Sequence, residues 1–458
     1  MTNLSGTNLN NGAAVGPQGE GRDSPSTFPK YPDYKESGAD WCGVVPAEWQ
    51  VLKLKRVARL QSGEFITSEA IEEEAQYPVY GGNGLRGYTT AHTHEGEYAL
   101  VGRQGALCGN INYACGKFWA SEHAVVVYPE RGAVTRWLGE LLRSMNLGQY
   151  SVSAAQPGLS VERIADLFIP VPSPIEQTQI ARFLDHETAR IDALIEEQQR
   201  LIELLKEKRQ AVISHAVTKG LDPMVPMKDS GVEWLGEVPA HWGVRKFYFG
   251  IKAIIDNRGR SPSYIDSGIP ILEARQLSDE AMECSSDFSK YISEESHSEF
   301  VRDDVAPGDV LMVTVGTIGK VGVVGENPDY VILQNIVGFR CDYDIEPGFM
   351  GIYLKSGAAF MAMQATNKES ILSSVKVSDF IQHKMPLPPL DEQKAIVRSV
   401  NASLSKYGVL QKEAELLCST LHERRSALIS AAVTGKIDVR GWQPPASAPS
   451  PELAQEAV

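Results

Sequence analysis

The chain is written twice, and the way its copies differ restricts what it can fold into. One half holds Lys35-Glu36-Ser37-Gly38-Ala39-Asp40-Trp41, then Gly43, Pro46-Ala47 and Trp49. The other holds Lys228-Asp229-Ser230-Gly231-Val232-Glu233-Trp234, then Gly236, Pro239-Ala240 and Trp242. The shift between them is 228 − 35 = 193 residues, without a gap. A second matched stretch runs from Pro170-Val171-Pro172 through Glu176-Gln177 and Ile180 to Ala216-Val217-Thr218. Its partner runs from Pro386-Leu387-Pro388 through Glu392-Gln393 and Ile396 to Ala432-Val433-Thr434, a shift of 392 − 176 = 216. The framing segments repeat, while the interiors differ by 216 − 193 = 23 residues and hardly match. A duplicated frame around two unlike inserts suits a protein that reads two unlike things at a fixed separation.

A length of 458 residues favours more than one domain, and two repeats of roughly 200 residues satisfy that prior. No run of about 18 apolar residues and no signal peptide is present, so a soluble, cytoplasmic protein is expected. The six cysteines are scattered, without a CxxC. Cys108, Cys115 and His123 fall short of the four ligands of a structural metal site, so free thiols and no metal are expected. A net charge of −14 runs against a polyanionic partner. Much of that acidity lies in the helical regions and tails, however, and binding depends on how charge is distributed over the surface.

Residues 1–33 and 439–458 are rich in small, polar and proline residues and read as disordered tails. Between them the pattern divides into a first domain at 34–172, a long helix at 173–220, a second domain with a short linker at 221–388, and a second long helix at 389–438. Within the first insert, Tyr77-Pro78-Val79-Tyr80-Gly81, Tyr98-Ala99-Leu100-Val101-Gly102 and Ala124-Val125-Val126-Val127-Tyr128 read as strands, and Thr135 to Met145 as a helix. The second insert has Val310 to Val315, Val321 to Val324 and Val331-Ile332-Leu333. A mixed α/β (α+β) fold is expected for each.

Ser173, Pro174 and Glu176 form a capping-box signature for the first long helix, and Lys219-Gly220 a stop. In the second copy Pro389 stands where the capping serine would be. Apolar residues recur every seven: Leu184, Ile191, Leu205 and Val212, joined by Leu194 and Leu201 and interrupted by Gln198. The other helix carries Val400, Tyr407, Ala414, Leu421 and Leu428, joined by Leu410 and Leu417. Two heptad stripes in one chain predict a coiled-coil pair. At 1.5 Å per residue, about 43 residues would span roughly 65 Å, a ruler between the inserts. The alternative is that each helix lies only on its own insert.

From about residue 34 to 438 the chain resembles the specificity subunits of Type I restriction-modification enzymes. The likeness rests on Ser37-Gly38…Trp41…Pro46…Trp49, on Tyr77 to Tyr88, on Asp256-Asn257-Arg258-Gly259-Arg260-Ser261-Pro262, on Gly308-Asp309-Val310-Leu311, and on Pro388-Pro389-Leu390-Asp391-Glu392-Gln393. The resemblance implies two target-recognition domains in a pseudo-two-fold tandem repeat, separated by a pair of long antiparallel coiled-coil helices, each domain reading half of a bipartite, asymmetric site in double-stranded DNA. It implies two modification (methyltransferase) and two restriction (endonuclease and translocase) subunits docked on this non-catalytic chain. S-adenosylmethionine, ATP and Mg would then belong to those partners, with no cofactor on this chain.

Cations suit phosphates, and guanidinium or amide groups suit base edges. In the first insert this singles out Asn83 and Arg86 in one glycine-rich loop and Arg103 and Gln104 in another. In the second it singles out Arg258 and Arg260 around Gly259, Arg275-Gln276, and Thr317 with Lys320. Lys320 fits a phosphate better than a base, since it carries no fork. The plainer account is that these glycines only make turns and the polar residues only solvate them.

Three catalytic look-alikes fail on their own terms. Gly316-Thr317-Ile318-Gly319-Lys320 lacks a phosphate-binding loop's glycine at Thr314 and its hydroxyl at Val321. Asn327-Pro328-Asp329-Tyr330 lacks the second proline of an amino-methyltransferase motif and any upstream glycine-rich cofactor loop. Glu392-Gln393-Lys394 has the form of a nuclease triplet, but its repeat, Glu176-Gln177-Thr178, lacks the lysine. A self-contained methyltransferase or nuclease would show methyl transfer or cleavage by the chain alone. A protein scaffold with no DNA role would show no sequence-selective DNA retention.

Overall fold

The computed structural model describes residues 28–105, 107–151, 158–259, 261–278, 282, 284–365 and 374–445. The fold is mixed α/β and divides into two compact units, one formed by Met1–Glu197 with Leu417–Val458 and the other by Gln198–Leu416.

The repeated motif earns its spacing as a strand–turn–strand. Tyr34–Glu36 pairs antiparallel with Val44–Pro46, and Met227–Asp229 with Glu237–Pro239. In both turns a serine closes the loop: Ser37 N donates to Gly43 O (2.9 Å) and Ser230 N to Gly236 O (3.0 Å). Their hydroxyls accept from Ala39 N and Val232 N.

Inside these unlike inserts lies one topology. The first has an antiparallel sheet in the order Ala58–Ser62, Ala124–Pro129, Tyr98–Gly102, Ile111–Ala114. The second has Ile251–Ile255, Ile336–Cys341, Val310–Val313, Val321–Val323 in the same order and sense. Beside it, Tyr77–Gly81 runs parallel to Lys117–Ala120, as Ile269–Leu272 runs parallel to Val331–Ile332. Only Gly82 and Asn83 connect Tyr77–Gly81 to its hairpin partner Gly84–Thr89, whereas 18 residues, 273–290, connect Ile269–Leu272 to Tyr291–Ile292. That one connection holds 18 − 2 = 16 of the 23 extra residues.

The ends of each insert meet, Gln50–Lys53 against Phe168–Val171 and Gly243–Lys246 against Lys384–Leu387, so the frame closes each domain. Continuous apolar runs such as Ala124–Val127 and Val310–Val313 are buried because their sheet is covered on both faces. Trp49, Trp137 and Phe183 centre one core, and Trp242, Phe247, Phe339 and Phe349 the other.

The long helices span Pro174–Lys219 and Leu390–Val433. Ser173 Oγ accepts from Glu176 N (3.3 Å), but the carboxylate of Glu176 turns to the core, accepting from Tyr31 Oη (2.6 Å) and Trp49 Nε1 (3.1 Å). Gln177 and Gln393 explain the shared Glu-Gln. Their amides donate to Pro172 O and Pro388 O and accept from Val134 N and Glu346 N, joining each helix start to its insert. In the first unit, Ile191 and Ile195 share a core with Leu421 and Leu428, and Arg425 Nε donates to Asp192 at 2.8 Å. In the second, Ile213 and Val217 share a core with Ile396, Val400 and Leu404.

Two sequence expectations change here. Leu194, Leu201, Leu410 and Leu417 lie 39–43 % exposed, and the residues buried beside the heptad row are Thr188, Ile195, Arg209 and Ala216 on one helix and Leu404 and Gln411 on the other. The companion stripe stands four residues along rather than three. The segments 1–33 and 439–458, expected as disordered tails, also hold packed residues. Residues 1–27 and 446–458 lie outside the described residues, but Tyr31 and Val439 are buried, and Phe28 and Trp442 stack edge-on against Phe183 at 5.2 and 5.3 Å. Aromatic area covered by the first unit's core offsets the entropy of ordering these ends.

Candidate nucleic-acid interface

In the first domain four connections come together at one edge of the sheets. The turn Gly82–Asn83 lies against the strand end at Gly102, where an added Cβ would meet Gly82 O at 2.1 Å, so only glycine lets the two backbones touch. Gly82 in turn faces Gln104 O and His123 O. Arg86 lies across Gly81, whose Cβ position is 2.3 Å from the arginine Cδ. Asn83, Arg86 and Gln104 are exposed and Arg103 is half-buried. Asn110 Nδ2 donates to Asn83 Oδ1 at 3.4 Å, and Arg103 Nη1 to Ser62 Oγ at 3.1 Å. The four candidates thus share one polar surface, with Asn110, Ser62 and His123 beside them.

The second domain uses the same edge. Its hairpin 314–320 joins Val310–Val313 to Val321–Val323, with Val313 N donating to Lys320 O (2.9 Å) and Thr317 exposed at the tip. A strand follows Lys320 where a phosphate-binding loop would require a helix. Arg258 is held by Asp256 and Thr314. Arg275 is exposed but flanked by Glu273 (3.3 Å) and Asp287 (3.8 Å), which compensate its charge. Gln276 requires correction as a surface reader. It is 2 % exposed, its amide donates to Asp287 O (2.7 Å) and accepts from Glu273 N (2.8 Å), and it ties the long connection together. Burial beside Leu277 drives this, since a buried amide must find partners. Arg260 lies outside the described residues.

Sequence reasoning passed over Gln334, whose φ of +56° is unusual for a non-glycine residue and whose amide donates to Ser261 Oγ (3.0 Å) and Tyr264 Oη. With Tyr264, Glu273, Arg275, Lys290 and Asn335 it lines an open cleft of about 320 Å³. No local motif marks it. Cys108 Sγ donates to Arg103 O at 3.3 Å, and among the described residues no group of three or more His, Cys, Asp or Glu side chains is placed to hold a metal. Among the same residues no helix is long and apolar enough to cross a membrane.

Residues 46–205 match the model of the Type I restriction modification DNA specificity domain. The chain is 44 % identical over 136 residues to the Escherichia coli Type I restriction enzyme EcoprrI specificity subunit, covering 29 % of this chain and 34 % of that one. It is 26 % identical over 386 residues to the putative type I restriction enzyme MjaX specificity subunit of Methanocaldococcus jannaschii, covering 81 % of each. It thus spans about a third of the length of the first relative and four fifths of the second. A solved structure described as the structural basis underlying complex assembly and conformational transition of the type I R-M system matches its fold with a TM-score of 0.64, at 15 % identity over 85 % of this chain and 99 % of that one. The resemblance to Type I specificity subunits that the sequence motifs carry is shown by these matches.

Proposed function

We propose that this chain is the DNA-recognition subunit of a Type I restriction-modification system, reading a bipartite, asymmetric target in double-stranded DNA, one half-site per domain. The observation that carries the reading is the common topology of the two inserts with different side chains at the same sheet edge. Cationic, amide and hydroxyl groups there, Asn83, Arg86, Arg103 and Gln104 in one domain and Arg258, Thr317 and Lys320 in the other, have the chemistry for phosphates and base edges. A net-acidic chain meets DNA through such local clusters, and its binding weakens steeply as salt rises.

The long helices serve as an antiparallel coiled-coil spacer that sets the gap between half-sites. Their exposed faces dock two modification and two restriction subunits, which supply S-adenosylmethionine, ATP and Mg chemistry in the cytoplasm, while this chain performs none. Exposed Leu204, Val409 and Leu416 on those helices support a docking role.

Replacing residues 50–168 with the corresponding insert of a relative, then mapping methylated adenines in cells carrying the full system, should change one half of the target and leave the other intact. A change in both halves, or sequence-independent binding, would overturn the reading. Arg200→Glu or Lys206→Glu should weaken assembly with a modification subunit before the recognised sequence changes.

A further inference from the structure

The shared topology allows the two edges to be aligned position by position. In the first domain Gln61 faces Val126, which faces Leu100; in the second Ile255 faces Gly338, which faces Leu311. One residue after Gln61 comes Ser62, and one after Ile255 comes Asp256. Three residues after Leu100 comes Arg103, and three after Leu311 comes Thr314. Backbone bonds confirm the second pair. Arg103 N donates to His123 O (2.8 Å) and Thr314 N to Asn335 O (2.8 Å), while Leu159 N donates to Arg103 O (2.9 Å) and Val375 N to Thr314 O (2.8 Å).

Both domains place a guanidinium between these two stations, but from different places in the chain. In the first it belongs to the station residue Arg103 and donates to Ser62 Oγ. In the second it belongs to Arg258, which reaches Asp256 on one side and Thr314 Oγ1 (3.1 Å) on the other. Neither guanidinium is core, so the common sheet does not require them. Two unlike sequences converging on one group at one surface station call for a functional account.

The partners then separate two roles. Arg258 Nε and Nη2 bind the Asp256 carboxylate in a fork at 2.8 and 2.7 Å. This arginine holds the Asp256 carboxyl below the usual carboxylate range. The pair has almost no net charge, which weakens it as a phosphate clamp. Its hydrogen-bonding power survives, because five N–H donors less three leaves one on each terminal nitrogen. A fork of two donors without excess charge suits the neighbouring O6 and N7 acceptors of guanine. The residues around Arg258 are also tied down by hydrogen bonds. Asn257, 3 % exposed, donates to Asp303 O and Ile332 O and accepts from Arg302 N and Asp303 N, and Thr314 Oγ1 donates to Asn335 O. Arg103 has a hydroxyl in place of the carboxylate, so its charge stays available.

We propose that Arg258 reads a guanine in the second half-site and that Asp256 is its positioning residue, an inference that rests on the DNA-recognition reading above. The test uses the full chain co-expressed with the modification subunit of its own system, read by genome-wide mapping of methylated adenines and by enrichment of the purified complex on duplexes randomised across both half-sites. Arg258→Lys and Asp256→Asn should each lower the guanine preference at one and the same base pair by roughly tenfold or more, leaving the other half-site unchanged. If Arg258→Lys does not fold, as judged by its melting transition, Asp256→Asn keeps the side-chain volume and carries the same readout. An unchanged motif, relaxation at a base other than guanine, or equal weakening on every sequence would overturn the proposal. A wild-type complex without any bipartite motif would sink the function itself; a bipartite motif indifferent to both variants would sink only this inference.

Discussion

Set side by side, the domains around Trp49 and Trp242 use the same backbone hydrogen bonds to hold loops whose side chains have little in common. Leu54 N donates to Leu167 O in one and Phe247 N to His383 O in the other, at 2.9 and 2.8 Å. Around those bonds the chemistry diverges. Trp49 donates its indole N–H to Glu176, whereas Trp242 Nε1 is buried without a partner among the described residues, and Glu392 accepts instead from His241 Nε2 at 2.8 Å. Leu167 before the first closing strand is matched by His383, which stacks on Tyr353 and shares a 2.9 Å hydrogen bond with its hydroxyl. Main-chain bonds are indifferent to side-chain identity. A frame built on them tolerates rewritten loops, which is what the proposed reading of two different half-sites demands.

The comparison breaks first at the tryptophans. Trp49→Ala and Trp242→Ala should each cost about 3–5 kcal/mol of the stability of its own domain, read by hydrogen exchange in the sheet at 98–102 or 310–313. If either leaves its sheet's protection unchanged, that frame does not hold the insert. Trp49→Phe and Trp242→Phe sharpen the point, since only the first removes a hydrogen bond and only the second removes an orphan N–H. Acid should separate the domains next. Burial pushes the His383 imidazole down to about 4, although Phe380 O favours its charged form. Because the folded state excludes the proton, this stabilisation is complete above the unfolded value near 6.5 and is lost as pH falls toward 4, about 3 kcal/mol over that window. His383→Leu, borrowing the residue type at 167, should flatten the acid slope of the second domain's melting curve; an unaltered slope refutes the assignment.

Smaller effects test the shared joints. Gln177→Ala and Gln393→Ala should each cost about 1–3 kcal/mol, the second the more, because the first strands Val134 N and Pro172 O while the second strands Glu346 N, Pro388 O and Asp344 O. Equal losses in urea titrations, or a larger one at Gln177, would show that the extra bond to Asp344 adds nothing. Arg103→Ala should weaken binding to all duplexes alike and lower the salt slope by about one charge, in contrast to the sequence-specific loss expected at Arg258. Least of all, Arg425→Ala removes a partly exposed pair with Asp192 and should cost about 1 kcal/mol or less.

The repeat around Ser37 and Ser230 was legible because local bonding fixes the spacing of its residues, although the strand–turn–strand it forms was not read. The long helices were legible because apolar periodicity is a property of a single segment. Leu194 and Leu417 misled because a leucine's side chain gives no sign of which neighbour will cover it, and Ile195 took the buried place. Gln276 misled because its burial depends on Asp287, eleven residues away across a connection with no counterpart in the first insert. The pairing of Ser62 with Asp256 as equivalent stations was invisible, since their offset differs from both repeat shifts.

By itself the sequence determined the duplication, the frame and the long helical segments, since each rests on short-range spacing and local hydrogen-bonding preference. Only the tertiary structure decided that the two inserts share one sheet order, which residues line its edge, and where Arg103 and Arg258 come to the same place. Those outcomes depend on contacts between residues far apart in the chain, and such contacts are selected by mutual burial and hydrogen-bond satisfaction that no single segment encodes.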